Sequence, residues 1–198
     1  MAEITVNTVY FEEPGKINTE RTLKIALNRV RELRLEQIVI ASTGGYTALE
    51  AMEVFRDYNP IIVTHSSGFN NPNEQEMPEE TRKHLEDMGA TVLTCLHSFG
   101  GLGRAVRKKF KTYQLDDIVA NTLRVLGEGM KVGCEITLMA ADAGLINTEK
   151  DTISISGTGR GADTALVLKP ANTQNFFDLK VKEILCKPRL DRKLSLGS

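Results

Sequence analysis

Residues 37–68, QIVIASTGGYTALEAMEVFRDYNPIIVTHSSG, decide the fold of this chain. The apolar run QIVIA (37–41) leads through a turn of small residues into the amphipathic segment TALEAMEVFRDY (47–58), and a second apolar run, PIIVTH (60–65), follows. A strand, a helix and a second strand at this spacing indicate a right-handed parallel crossover. The stretch therefore predicts an α/β fold with helices on both faces of the sheet.

The same alternation continues on both sides of this stretch. Upstream, helical spacing predicts a helix through Leu23, Ala26, Leu27, Val30 and Leu33, with Asn18 or Thr19 as its N-cap. Downstream, we expect helices at 78–89, 115–127 and 131–146 and strands at 90–95, 152–156, 164–168 and 181–185. The sequence thus predicts one three-layer α/β/α domain over residues 1–198 with a mostly parallel sheet, and a polar tail from about residue 189 that is expected to fray.

The composition and net charge of the chain argue against some classes of binding partner. The 198 residues carry 25 Lys and Arg against 26 Asp and Glu, a formal charge of −1, so neither nucleic acid nor a membrane surface is expected as a partner. No run approaches the ~18 apolar residues of a membrane span, and the N-terminus does not resemble a signal peptide, so a cytoplasmic location is expected. Cys95, Cys134 and Cys186 are too far apart for a zinc site; we expect reduced, buried thiols and no metal.

The turn between the first strand and its helix is the strongest candidate for a ligand site. Its residues are Ser42, Thr43, Gly44, Gly45, Tyr46 and Thr47. Adjacent glycines can expose backbone N–H groups at a helix N-terminus, where an anion is favoured, so the turn predicts a phosphate cradle. It is neither GxGxxG nor a loop ending in GK[ST], so neither a dinucleotide nor a magnesium triphosphate is indicated. A tight turn with a threonine cap is the alternative.

Two further loops follow predicted strands. VTHSSGF offers His65 and Gly68 at the edge of the sheet where the first loop lies, and the polar stretch 70–80 could carry Met77 across a ligand as a flap. His65 could instead be a hydrogen-bonded structural residue, and no residue at a defined spacing is expected to orient it as an acid or base. HSFGGLGRA (97–105) is interpreted as a mobile loop.

The third ligand-binding candidate is the loop SGTGRGAD (156–163). Its glycines supply N–H donors, and its side chains supply a guanidinium and a carboxylate. The candidate residues are Gly157, Thr158, Gly159, Arg160, Gly161 and Asp163. A plain glycine-rich hairpin is the alternative. Glu135 and Asp142 would share a helical face and could pair near a site, although solvated side chains are the simpler interpretation.

Residues 37–68 resemble the C-terminal domain of pyruvate kinases, and Ser42 to Thr47 match the loop that holds an effector phosphate in regulated members. The whole chain more closely resembles stand-alone, mostly archaeal and uncharacterised proteins that share this domain. That likeness rests on NTVYFEEPG (7–15), STGGYTA (42–48), MAADAG (139–144), GTGRGADTA (157–165) and KPR (187–189). The resemblance implies FMN as the cofactor of the phosphate loop. GGYT lacks the basic residue usual in that loop, which argues against a sugar bisphosphate effector.

The sequence is compatible with three functions. The first is a flavoprotein or FMN-binding protein, in which Ser42, Thr43, Gly44, Gly45 and Thr47 hold the phosphate and the other candidates surround the sugar and ring. The second is an enzyme acting on a phosphorylated small molecule, with His65 as acid or base and Asp163 or Glu135 as its partner. The third is a ligand-free module that forms homo-oligomers. Pyruvate kinase activity is not expected, because 198 residues leave no space for the catalytic barrel.

Overall fold

A seven-stranded sheet organises the computed structural model, which describes residues 3–190. In sheet order the strands are β1, β7, β6, β5, β2, β3 and β4. Six run parallel to one another, and β6 runs against them. Their bounds are Val9–Phe11 (β1), Gln37–Ala41 (β2), Ile61–Val63 (β3), Thr91–Leu93 (β4), Thr152–Ser156 (β5), Thr164–Lys169 (β6) and Lys180–Pro188 (β7).

Helices cover both faces of this sheet, as the sequence predicts. Their bounds are Thr19–Leu33 (α1), Tyr46–Val54 (α2), Glu79–Asp87 (α3), Leu102–Phe110 (α4), Leu115–Arg124 (α5) and Glu128–Asp142 (α6), with 3₁₀ turns at Lys16–Asn18 and Thr173–Asp178. Successive strand residues point to opposite faces, so Ile62 packs with the α1–α3 side while Val63 packs against α6. The three-layer α/β/α architecture with a mostly parallel sheet is confirmed.

Two elements differ from the sequence prediction. β1 was not predicted, because three residues that pair along one edge of β7 are too short to show a period. The loop predicted at 97–105 is partly wrong, since α4 begins at Leu102. This helix has no buried residue, and Gly100, Gly101 and Gly103 around its first turn favour a loop in a sequence-based prediction. The predicted tail lies mostly at 191–198, outside the described residues.

The sheet has a topological switch point beside β2. The chain leaves β2 to form β3 on one side, and β5 returns later to the other side of β2 in parallel. Ligands of open α/β sheets bind beyond the carboxyl ends of strands at such a point. The loops after β2, β3 and β5 contain the three predicted ligand-binding segments, and all leave the same edge.

The structure also bears on the expected membrane spans and on the burial of the cysteines. No helix in residues 3–190 is long and apolar enough to cross a membrane. The three cysteines are free thiols, but Cys95 is only half-buried, so burial was predicted correctly only for Cys134 and Cys186.

Candidate functional site

A cleft of about 470 Å³ lies at the carboxyl edge of the sheet, above the switch point. Its volume is in the range of small-molecule sites. The predicted site residues that line it are Ser42, Thr43, Gly44, Tyr46, Thr47, His65, Gly157, Gly159, Arg160 and Gly161. Four predicted residues do not line it: Gly45, Gly68, Thr158 and Asp163. The fold therefore brings the three loops together, but not every candidate side chain.

The turn after β2 presents a row of backbone donors. The Ser42 hydroxyl accepts the Ala48 N–H at 3.2 Å, so it caps α2 from inside the protein. The N–H groups of residues 43–47 donate to no acceptor within residues 3–190. Free N–H groups at the start of a helix form a site for an anion, because the helix dipole adds partial positive charge there.

Basic side chains approach this turn from two other segments. A Cβ on Gly44 would lie 3.6 Å from Arg160 Nη1, so the guanidinium reaches over the turn from the loop after β5. The Lys16 ammonium lies 3.8 Å from the centroid of the Tyr46 ring. Neither cation forms an ion pair with a carboxylate of the described chain. A phosphate at the turn would thus meet both N–H donors and positive charge.

Asp163 holds the loop after β5 rather than facing a ligand. Its buried carboxylate accepts the N–H of Gly15 at 2.8 Å, the N–H of Thr158 at 3.1 Å and the Thr164 hydroxyl at 2.8 Å. The Asp163 carboxylate is therefore buried away from the cleft, and its hydrogen bonds fix the backbone that carries Arg160. Thr158 contributes its backbone N–H to this arrangement, and ligand contact by its side chain stays a prediction.

His65 has an orienting partner that the sequence analysis did not find. Its Nδ1 lies 2.6 Å from Glu76 Oε2, and its Nε2 lies 3.5 Å from the Thr43 hydroxyl. The expectation that nothing orients His65 is wrong, and so are Asp163 and Glu135 as its partners. Glu76 escapes prediction because the pair forms only when the loop after β3 folds back on the strand.

The loop after β3 is a compact turn and not a flap. Gly68 has φ +77° and donates to the Glu74 carbonyl at 2.8 Å, which closes the turn. The Gln75 amide donates to the His65 carbonyl at 2.9 Å. Met77 packs into the core shared by α1–α3, so its predicted position across a ligand is wrong. Phe69 is the member of this loop that enters the cleft, and its ring stacks on His65 at 4.0 Å.

A second set of polar side chains lies in the cleft next to His65. His97 follows β4 as His65 follows β3, and its Nε2 accepts the Ser66 N–H at 3.4 Å. Burial lowers the pKa of His97 to about 4, against a smaller opposing effect of Glu135, so the ring is neutral near pH 7. Glu135 is buried with Lys131, which donates to it, and also accepts the Phe99 N–H at 3.0 Å.

Asp142 is not part of this set, because its carboxylate faces the segment at 172–173. It accepts the backbone N–H of Thr173 at 3.0 Å and the amide of Asn172 at 3.2 Å. The suggested pairing of Glu135 with Asp142 is therefore wrong. No group of three or more His, Cys, Asp or Glu side chains in residues 3–190 is placed to hold a metal ion.

Sequence reasoning missed several residues of the cleft, namely Lys16, Phe69, His97, Arg104 and Lys131. One signal was available, since His97 lies two residues after the predicted strand at 90–95, and His65 likewise stands at the end of the run at 60–65. The others come from helices α4 and α6, from the N-terminal turn and from the loop after β3, whose positions over the sheet depend on tertiary packing.

Comparison with known proteins relates the chain to one family. The family described as "Pyruvate kinase, alpha/beta domain" matches residues 20–168. Among solved structures, a pyruvate kinase from Cryptosporidium parvum is 12% identical over 77% of this chain and 23% of its own, with a TM-score of 0.42. A complex of the C. parvum enzyme with ADP gives 13% identity over 75% of this chain and 22% of its own, with a TM-score of 0.39.

A hydrogen sulfide-producing enzyme from Fusobacterium nucleatum also matches, at 14% identity over 67% of this chain and 48% of its own, with a TM-score of 0.30. The chain spans about a quarter of the length of the first C. parvum pyruvate kinase.

Proposed function

This chain belongs to the family of pyruvate kinase alpha/beta domains, and from that premise we propose that it binds a phosphorylated small molecule, FMN, in the cleft above the switch point. One observation carries the proposal: the N–H groups of residues 43–47 donate to no acceptor in the described part of the chain, and the Arg160 guanidinium reaches over them. A phosphate monoester supplies the acceptor oxygens and the negative charge that this arrangement lacks.

The remainder of the cleft fits a flat cofactor. Tyr46, His65 and Phe69 bring ring systems to its wall, and aromatic rings pack on the faces of other rings. We propose that residues 43–47 and Arg160 hold the phosphate and that these three side chains contact the ring. When bound, FMN supplies electron and hydride transfer, while the protein supplies position and electrostatics.

The proposal is tested by titrating the purified protein with FMN and with riboflavin, followed by calorimetry and by the flavin absorbance. We expect FMN to bind in the micromolar range or tighter and riboflavin at least about tenfold more weakly, because only FMN carries the phosphate. Equal affinities for the two flavins, or no binding of either, would refute the proposal.

Arg160 provides the first mutational prediction. Arg160→Ala is expected to weaken FMN binding by about 1.5–3 kcal/mol, the range of a hydrogen bond to a charged group, and Arg160→Lys to recover only part because the planar fork is lost. Arg31→Ala, at an exposed arginine in the last turn of α1, is the matched control. A loss no larger in Arg160→Ala than in the control would remove Arg160 from the site.

The contact between His65 and Glu76 favours a second candidate function, an enzyme that acts on a phosphorylated small molecule. A carboxylate at Nδ1 fixes the tautomer and the orientation of an imidazole, so Nε2 becomes available to exchange a proton. In this case His65→Gln and Glu76→Gln should each lower turnover by about 10²-fold or more while leaving FMN affinity within tenfold of wild type. NADH and NADPH oxidation by the FMN-loaded protein is the assay. Turnover that persists in both variants would reject this role.

A further inference from the structure

Arg104 differs from the other half-buried arginines of the described chain. Arg29, Arg82 and Arg107 each pair with a carboxylate. Arg104 is also half-buried and lines the cleft, yet it contacts no carboxylate within residues 3–190. A partly desolvated guanidinium without an anion is costly, so such a group in a cleft indicates that a ligand supplies the anion.

The contacts of Arg104 leave its donors available. Its guanidinium carbon lies 4.3 Å from the centroid of the Phe69 ring, so the side chain is supported through its face. The five N–H donors of a guanidinium lie in its plane, and stacking does not consume them. Phe69 therefore positions Arg104 to bind the edge of a planar acceptor.

The charges along the cleft also favour an anionic ligand. The two carboxylates that line the cleft are each neutralised by a neighbour, Glu128 by Arg124 and Glu135 by Lys131. Arg104 beside Phe69, and Lys16 and Arg160 near the phosphate turn, form no ion pair within residues 3–190. His97 is neutral and adds no charge. The rings of Phe69 and His65, whose centroids are 4.0 Å apart, lie between two cationic ends of the cleft: Arg104 stacks on Phe69, and His65 lies beside the phosphate turn.

From these observations we infer that the ligand is anionic at both ends: a phosphate monoester at the turn after β2 and, at Arg104, a planar group with delocalised negative charge. This inference rests on the proposed function and specifies its ligand class. An aromatic carboxylate has such a group at neutral pH, and a flavin ring gains one when the reduced form ionises. Both share one chemistry, a flat anion that accepts in-plane hydrogen bonds from a guanidinium.

A pair of matched probes tests the inference without depending on flavin. Phenyl phosphate and 4-carboxyphenyl phosphate differ only in a planar carboxylate. Wild type is expected to bind the carboxylated probe about tenfold more tightly, and Arg104→Met should abolish that preference while its affinity for phenyl phosphate stays within about twofold. Arg104→Lys should restore only part of it. Lys108→Met removes the same charge from the exposed face of α4 and should behave like wild type.

A second arm uses FMN and distinguishes the two sources of the planar anion. At about pH 8, Arg104→Met should weaken reduced FMN about tenfold more than oxidised FMN, which lowers the two-electron midpoint potential of the bound flavin by about 30 mV. A shift confined to this arm identifies the reduced flavin as the anion, and a preference confined to the first arm identifies a carboxylate. If phosphate probes bind wild type but Arg104→Met changes neither the preference for the carboxylated probe nor the potential of bound FMN, this inference is overturned and the proposed function stands. If no phosphate probe binds at all, the proposed function fails with it.

Discussion

Gly45→Ala, in the turn after β2, is expected to destabilise the fold by about 2–6 kcal/mol. Gly45 has φ +97°, a conformation that costs other residues about 1–3 kcal/mol. An added Cβ would also overlap Thr81 Cγ2 of α3, and relieving such a contact costs about 1–3 kcal/mol more. Urea unfolding of the variant and of wild type measures the difference.

Gly44→Ala is the matched control for this prediction. Gly44 does not require a positive φ, and its added Cβ would meet only ordinary contacts, at 3.6 Å from Arg160 Nη1 and 3.8 Å from the Glu76 carbonyl. Its stability should stay within about 1 kcal/mol of wild type. Two variants with equal stability would show that α3 does not pack against the turn in the way described. Since adjacent glycines have different roles, ligand binding should be probed at Gly44 and not at Gly45.

The sequence predicted the central part of this fold because its signals are local. QIVIA and PIIVTH contain continuous apolar runs, which are typical of strands buried on both faces, and TISIS alternates Ile with Ser at the period of a strand. The structure has strands at all three. The glycine turn after the first run was recognisable for a similar reason, since backbone N–H exposure follows from residue type and position. The edge on which the three loops meet then followed from parallel topology alone.

Side-chain partners could not be obtained in this way. Asp163 appeared to be a ligand contact because a carboxylate beside an arginine in a glycine loop suggests a polar site. Its function is set by Gly15, 148 residues away in sequence, whose N–H it accepts. His65 appeared to have no partner because Glu76 reaches it through an irregular turn without periodicity. Both errors share one cause, namely that sequence spacing carries no information about which backbone groups remain to be satisfied after the loops close.

The ion pair between Lys131 and Glu135 provides the second large prediction. Both residues are buried, at 6% and 3% exposure, and Glu135 also accepts the Phe99 N–H. Glu135→Leu should destabilise the protein by about 3–5 kcal/mol, because it leaves a buried ammonium without a counter-ion and a backbone donor without an acceptor. Glu135→Gln keeps an acceptor for Phe99, so it should cost less than the leucine variant.

A double variant separates the ion pair from the packing of α6. Lys131→Met combined with Glu135→Gln removes both charges and retains the Phe99 acceptor, so it should be more stable than Lys131→Met alone by about 2 kcal/mol or more. This ordering follows because an unpaired buried charge is more costly than a neutral pair of similar volume. Urea unfolding of the four proteins of the cycle gives the coupling free energy between the two side chains. Additive losses would mean that the two groups are solvated separately in the cleft, and Lys131 would then be a fourth cation available to an anionic ligand.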